Sequence, residues 1–207
     1  MAQDKESQFK ARLDRAGIKL VIDDAFLREW HPRYDRIVGD EPEYQRLVAV
    51  VADDMAAHRT LSKDTFLAIW KWKGANRVLR FVRLEDYEAR YAPAFGRAAS
   101  ETADNKLASL LGPDVRLPGV DAATASTILH FIHQKPDYAG YDSESMPIID
   151  VRTAEVLFKA KLISTDRRSL KHYEEFRRAI NGIGRRCLGF NLRQIDRALF
   201  AYHRLGP

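Results

Sequence analysis

Residues 117–129, LPGVDAATASTIL, decide how this chain folds. Gly119 supplies the backbone freedom for a tight reversal between two apolar stretches, NKLASLLG before it and TASTIL after it. Asp121 is a candidate helix N-cap, and the first turn behind it holds nothing larger than threonine. Such a slim turn lets another helix pack closely, or lets a phosphate reach the positive end of the helix. The pattern predicts a helix, a short turn and a second helix, and leaves both uses open.

The rest of the sequence also has helical patterns. SKDTFLAIWKWKG has Ser62 as a candidate cap and stops at Gly74. A weaker helical stretch follows, and we expect it to break near Pro93. The last helix begins with a capping box formed by Asn191 and Gln194. The only candidate strand is IKLVID near the N-terminus, so the predicted fold class is all-α.

Composition sets the general class of protein. The chain has 207 residues, 45% of them hydrophobic and 30% charged, which allows one sizeable core or two small lobes that share a cleft. The single cysteine, Cys187, excludes an internal disulfide and a four-cysteine iron–sulfur or zinc site within one chain. No apolar run approaches the roughly 18 residues of a membrane span, and the N-terminal residues are polar. We therefore expect a cytoplasmic protein with no membrane partner.

Positive charge is concentrated in the segment STDRRSLKHYEEFRRAINGIGRRCL, although the net charge of the whole chain is only +5. One interpretation is a solvated helix face whose glutamates pair with neighbouring arginines. The other is a surface that faces phosphates. The basic residues of this segment are Arg167, Arg168, Lys171, Arg177, Arg178, Arg185 and Arg186.

Two motifs in order resemble one known family. LPGV…TAS..L is similar to the helix-hairpin-helix of the HhH-GPD superfamily of DNA glycosylases. That family continues with a Pro-Val-Asp type of segment before the next helix, and MPIIDVRTAEVLFKAKLI stands at that place here. The resemblance covers about residues 105–163. It implies a single two-lobed helical unit over residues 1–207, with the hairpin at about 105–133 and the catalytic-aspartate loop and helix at about 134–163.

The resemblance also assigns candidate site residues. Asp150 falls where the family has its catalytic aspartate, and a carboxylate there would stabilise positive charge on the sugar. In the family the hairpin backbone binds a DNA phosphate and often an alkali cation, so a Na⁺ or K⁺ ion is a possible structural ligand and no other cofactor is expected. The family hairpin often has a second glycine where this chain has Asp121. The matching hairpin residues are Leu117, Gly119, Asp121, Ala122 and Thr124.

The hairpin lacks a lysine that some relatives use. Bifunctional members of the family carry it in the first turn of the second hairpin helix, where this chain has Ala123. Alanine cannot form the Schiff base that strand cleavage needs. The alternative lysines Lys135, Lys159 and Lys161 do not match the family position. The resemblance therefore implies a monofunctional enzyme, in which water displaces the base and an abasic site remains.

A flipped base needs an aromatic pocket, and positive side chains would face the DNA. Trp70 and Trp72 are about 200° apart around one helix, so we expect one in the core and the other in the pocket. The weaker pocket candidates are the segment WHPRY, residues 30–34, and Tyr138 and Tyr141 in a long loop. The candidate DNA-facing basic residues are Lys73, Arg77, Arg152, Arg167 and Arg168. No metal site formed by side chains is expected.

The resulting hypothesis is a monofunctional DNA glycosylase that removes a damaged or modified base, acting as a monomer associated with DNA in the cytoplasm or nucleoid. One alternative is a helix-hairpin-helix protein that binds DNA without chemistry, within a repair or defence assembly. Another is an all-α interaction protein whose hairpin serves only for packing. The glycosylase alone requires the carboxylate of Asp150.

Overall fold

A computed structural model describes residues 20–74, 80–115, 117–134 and 146–207 of the chain. Over these ranges the protein consists of helices joined by turns and loops, with no β-strand, and the predicted all-α class is confirmed. The described end of the candidate strand, residues 20–23, is not in a strand.

The α-helices are numbered in chain order. They are α1 (Asp24–Trp30), α2 (Glu41–His58), α3 (Lys63–Trp72), α4 (Ala92–Ser100), α5 (Ala103–Lys106), α6 (Ala108–Leu111), α7 (Ala122–His133), α8 (Val151–Lys159), α9 (Leu170–Arg186) and α10 (Leu192–Leu205). Short 3₁₀ helices span His31–Arg36 and Leu84–Asp86, and a π-helical turn spans Tyr87–Tyr91.

Most of the predicted helix ends are confirmed, and one is wrong. The Ser62 hydroxyl accepts the N–H of Thr65 at the start of α3, and Asn191 and Gln194 form the reciprocal capping box of α10. Pro93 does not break a helix, because the π turn runs directly into α4 and Pro93 lies in its first turn. Proline is tolerated in the first turn of a helix because its fixed φ is already helical.

The helices pack mainly as two groups. In one group α1 and the 3₁₀ helix His31–Arg36 lie against α10, which also contacts α8 and α9. In the other, α2, α3, α4 and α7 pack on one another with the π turn and the short helices α5 and α6. Hydrophobic side chains of both groups join one buried core. The beginning of the described chain therefore lies against its end.

The predicted reversal between α6 and α7 is present and closely packed. Gly119 has a φ of +77°, in the left-handed region that favours glycine. A Cβ atom at this position would lie 2.8 Å from Val82 Cγ2 and 3.0 Å from the Val82 backbone nitrogen. The Tyr91 hydroxyl donates to the carbonyl oxygen of Pro118 at 2.7 Å. The turn thus needs glycine both for its conformation and for its approach to the chain at Val82.

Candidate active site

Asp150 is the N-cap of α8. Its Oδ1 accepts the backbone N–H of Arg152 at 2.9 Å, while its own N–H donates to the Thr153 hydroxyl at 3.3 Å. These two bonds satisfy donors that the first turn of a helix leaves unpaired. They use one carboxylate oxygen and hold the side chain in place, so the cap interpretation of Asp150 is confirmed.

The segment 146–150, which leads to Asp150, is held by three buried side chains. Nδ1 of His130 bonds the Met146 carbonyl oxygen at 2.9 Å, and the Tyr173 hydroxyl donates to that of Pro147 at 2.8 Å. The Ile149 N–H donates to the Ser126 hydroxyl at 3.1 Å. Ser126 and His130 lie on α7 and Tyr173 lies on α9. The second helix of the hairpin therefore anchors the segment that positions Asp150.

His130 acts in this network as a neutral imidazole. Its burial lowers its pKa to about 4, with the Met146 carbonyl opposing that shift only in part. The bond to that carbonyl requires a proton on Nδ1, so Nε2 is left as an acceptor. The Tyr44 hydroxyl lies 2.8 Å from Nε2 and donates to it. The network links α2, α7 and the Asp150 segment without any net charge.

A cavity of about 220 Å³ opens beside Asp150. Its wall combines aromatic surface with three carboxylates and three cations. The lining residues are Tyr34, Val38, Asp40, Trp72, Lys73, Ile148, Asp150, Arg152, Arg193, Asp196 and Phe200. Members of both helix groups contribute, because Trp72 ends α3 whereas Arg193, Asp196 and Phe200 belong to α10.

Two cations flank the Asp150 carboxylate. Nζ of Lys73 lies 3.7 Å from Oδ2, and a guanidinium nitrogen of Arg152 lies 3.4 Å from Oδ1. Burial raises the pKa of Asp150, but the charges of Lys73, Arg152 and Arg168 and the Arg152 N–H together lower it below its ordinary value. The carboxylate is therefore ionised at neutral pH. Its side chain keeps 19% exposure, so it remains accessible from the cavity.

Arg193, on α10, is the most deeply buried of the three cations that line the cavity. Its guanidinium, in a side chain only 5% exposed, donates to Asp40 Oδ1 at 2.8 Å and to Asp196 Oδ2 at 3.4 Å. It also lies 4.5 Å from the ring centre of Tyr44 and 5.3 Å from that of Trp72. In the described part of the chain, no acceptor within hydrogen-bonding distance pairs with its Nε–H or with the indole N–H of Trp72. The surroundings of Arg193 therefore combine aromatic rings with buried donors that have no acceptor in the described chain.

Asp196 differs from Asp150 in its protonation. Burial raises the pKa of Asp196 to about 6, and the charges of Asp150 and Asp40 add to this effect against Arg193 and Lys73. The cavity thus holds one carboxylate that stays ionised and another that gains a proton slightly below neutral pH. Pairs of acids whose environments separate their pKa values are typical of sites that move protons.

The predicted pocket aromatics separate as expected from helical geometry. Trp72 lines the cavity, whereas Trp70 is 1% exposed and belongs to the core. The assignment of Trp70 to a base pocket is therefore wrong, because its ring packs on Phe66 inside the second helix group. Tyr138 and Tyr141 lie outside the described residues.

The predicted basic residues fall in three places. Lys73 and Arg152 border the cavity, and Arg167 and Arg168 lie exposed in the coil before α9. Arg77 is outside the described residues. The interpretation of the whole basic segment as a phosphate-facing surface is not supported, because the Arg177 side chain is 10% exposed and is paired with Glu174.

The hairpin residues present backbone more than side chain. Leu117, Ala122 and Thr124 are buried, and Asp121 is exposed. The Asp121 carboxylate accepts the Thr124 N–H at 2.8 Å, which confirms the predicted cap and occupies one N–H at this end of α7. The Leu117 carbonyl oxygen accepts the Val120 N–H at 3.1 Å.

Two of the three lysines considered as nucleophiles are remote from this cavity. Lys159 and Lys161 line a separate depression at the C-terminal end of α8, together with Glu175. Lys135 is outside the described residues. The amine beside Asp150 belongs instead to Lys73, which the sequence suggested only as a DNA-facing cation.

Sequence reasoning missed Arg193 and Asp196. The signal was present in α10, where charged residues occur between Leu192, Ile195 and Leu199 on the buried face of an amphipathic helix. A charged residue on such a face needs a buried partner. The partner of Arg193 is Asp40, 153 positions away in the chain, so the pair is visible only in the folded protein.

The described ranges contain no group of three histidine, cysteine or acidic side chains placed to hold a metal ion. No helix within them is both long and apolar enough to cross a membrane. The chain matches no protein-family model, no curated protein and no solved structure.

Proposed function

We propose that this protein is a monofunctional DNA glycosylase that hydrolyses the bond between deoxyribose and a damaged or modified base. The observation that carries the proposal is the environment of Asp150. An ionised, partly accessible carboxylate lies at the end of a helix, in a cavity that also contains Trp72, Tyr34 and Phe200. Carboxylates of this kind stabilise the positive charge that develops on a sugar when its glycosidic bond breaks.

The cavity suits a single flipped base. Its volume of about 220 Å³ equals that of about seven water molecules in the liquid, which suits one flat ring system. Aromatic faces and unpaired donors are the features that hold and identify an extruded base. Trp72 lines the cavity and supplies an aromatic face, while its buried indole N–H has no acceptor in the described chain. In the proposed complex the base stacks in this cavity and the sugar lies against Asp150.

Each charged residue near Asp150 has a defined part in the proposed reaction. Asp150 faces the anomeric carbon and orients the attacking water. Lys73 and Arg152 keep that carboxylate ionised. In the proposed complex they also meet the phosphates on either side of the flipped nucleotide. The backbone at the start of α7 holds a neighbouring phosphate, with or without an alkali cation.

The packing of the helices supports an HhH-GPD-like architecture. The two groups would be the two lobes, and the cavity, which both groups line, would be the cleft between them. The direct bonds from Ser126 and His130 to the segment 146–150 join the hairpin to the proposed catalytic residue. These hydrogen bonds connect the two sequence motifs directly in the folded protein.

The absence of lyase activity is part of the proposal. Ala123 has no amine, and the nearby Nζ of Lys73 is engaged with the Asp150 carboxylate at 3.7 Å instead of facing a sugar as a free nucleophile. Borohydride treatment of the protein with an oligonucleotide that carries a preformed abasic site should give no covalent adduct. An adduct that disappears in Lys73→Ala would contradict the monofunctional assignment.

The second candidate function is DNA binding without catalysis. It is favoured by the ion pair between Lys73 and Asp150, which is also what a purely structural aspartate would form. In both functions the protein acts on DNA as a monomer.

A panel of oligonucleotides that carry alkylated, oxidised, deaminated or deliberately modified bases separates the candidates. Hot alkali converts each abasic product into a strand break. If the protein is a glycosylase, alkali should reveal strand breaks in at least one of the oligonucleotides. Asp150→Asn should give no such breaks but should keep its salt-dependent DNA binding. A non-catalytic binder shows binding in both proteins and breaks in neither. An interaction protein with no nucleic-acid role shows no salt-dependent binding at all.

A further inference from the structure

We propose that Asp196 is the proton donor of this site, with its carboxyl group protonating the departing base while Asp150 faces the sugar. The assignment rests on the glycosylase function proposed above. It adds a second reacting residue, from a different helix, that no motif in the sequence indicated.

The two acids come from different helices and line one cavity. Asp150 begins α8, whereas Asp196 lies one turn into α10 and has a side chain 21% exposed. Among the described residues, the Asp196 carboxyl accepts one hydrogen bond, from Arg193 to its Oδ2. Its Oδ1 is therefore left to carry a proton toward a ligand. In the proposed complex a base stacked against Trp72 shares one cavity with this carboxyl and with Asp150.

The charges that surround Asp196 come from four elements. Arg193 precedes it on α10, Lys73 follows α3, Asp40 precedes α2, and Asp150 begins α8. Burial and the two neighbouring aspartates raise the pKa of Asp196 to about 6 despite the two cations. A catalytic acid works best when its pKa is near the working pH, which this value satisfies.

The proposed step balances without any added reagent. As the C1′–N bond breaks, its electron pair leaves with the base, and a ring atom of the base takes the proton from Asp196. The base departs neutral. Water then bonds to C1′ and loses a proton to solvent through Asp150, while Asp196 regains a proton from solvent. The products are the free base and an abasic site, as hydrolysis requires.

The test compares two kinds of leaving group. Uracil and hypoxanthine are neutral in DNA and leave as anions unless they are protonated, whereas 7-methylguanine is already cationic and leaves as a neutral molecule. Single-turnover rates are measured from pH 5 to 8 for the wild type, Asp196→Asn and Asp196→Glu. Asp196→Asn should slow release of the neutral bases by about 10²- to 10³-fold and that of 7-methylguanine by less than about fivefold.

The pH profile supplies the second readout. In the wild type, the rate of release of a neutral base should increase as the pH falls from 8 to 6. Asp196→Asn should lose this increase, and Asp196→Glu should keep it. Equal losses on both kinds of base, or an unchanged increase in Asp196→Asn, would show a structural role and overturn the assignment. So would a wild type that releases only 7-methylguanine. A wild type that releases nothing from the wider panel overturns the glycosylase function itself, which is a different result.

Discussion

Two aspartates of this protein do the same local work in different surroundings. Asp121 caps α7 and Asp150 caps α8, and each carboxylate accepts a backbone N–H of the first turn, at 2.8 Å and 2.9 Å respectively. Asp121 is exposed and forms no ion pair with any of the described residues. Asp150 lies in a cavity between Lys73 and Arg152.

The difference shows that neighbouring residues are enough to make an aspartate a helix cap, whereas the environment that could make its carboxylate reactive depends on the tertiary structure. The capping geometry depends on a few consecutive residues, and both aspartates have it. Arg152 belongs to α8 itself, but Lys73 follows α3, and the aromatic rings come from α3, α10 and the 3₁₀ helix His31–Arg36, which the fold brings together. The same side chain is therefore a structural cap at one site and a candidate catalyst at the other.

The largest expected effect comes from removing the charge at each cap in turn. Asn caps helices as well as Asp does, so Asp150→Asn and Asp121→Asn should both fold. Asp150→Asn should lose about 10³-fold in excision rate, or about 4 kcal/mol of transition-state stabilisation. Asp121→Asn is the matched control and should keep its excision rate. Comparable excision rates for the two variants in single-turnover assays would contradict a catalytic role for Asp150.

A smaller effect should follow from loosening the segment that carries Asp150. Ser126→Ala leaves the buried N–H of Ile149 without its acceptor, which should lower the free energy of unfolding by about 2–3 kcal/mol. Thr127→Val is the matched control, because among the described residues the Thr127 hydroxyl bonds to Ala123 of its own helix and not to the Asp150 segment. Urea denaturation measures both variants. Equal losses of stability would mean that the Ser126 bond does not hold the segment.

The raised pKa of Asp196 predicts a pH dependence of stability. The folded protein holds this proton up to about pH 6, whereas the unfolded chain releases it near pH 4. The stabilisation from Asp196 is therefore complete below pH 4 and is lost as pH rises through 6. Relative to wild type, Asp196→Asn should gain on the order of 2 kcal/mol between pH 4 and 7.

Thermal unfolding of both proteins across this range measures that difference. It has to be taken between the two proteins because His130 acts in the opposite direction. The lowered pKa of His130 makes the folded protein lose stability as pH falls from 6.5 towards 4. His130 contributes equally to both proteins, so it cancels. A constant difference from pH 4 to 7 would contradict the raised pKa of Asp196.

The smallest effect concerns the charge at the hairpin. Asp121→Asn keeps the cap of α7 but removes a negative charge from the end proposed to meet a phosphate. DNA affinity should rise by about 0.3–1 kcal/mol, which is a factor of about two to five. Fluorescence anisotropy at low and moderate salt measures the change. An unaltered affinity would place the DNA away from this turn.

The sequence by itself determined the helices, their caps and the hairpin. Helical periodicity, the caps Ser62, Asp121 and Asp150, and the glycine of the turn act over a few neighbouring residues, so they can be read along the chain. Helical periodicity also predicted that Trp70 and Trp72 point in different directions, because it fixes the angle between them. It did not say which of the two is buried.

Only the tertiary structure decided which of these residues share a site. Arg193 meets Asp40 across 153 positions, and Lys73 meets Asp150 from another helix. These contacts depend on how helices pack, and a linear pattern does not record that. The raised pKa of Asp196 depends on helix packing as well. It follows from burial and from charges that come close only when α10 packs against the other helices.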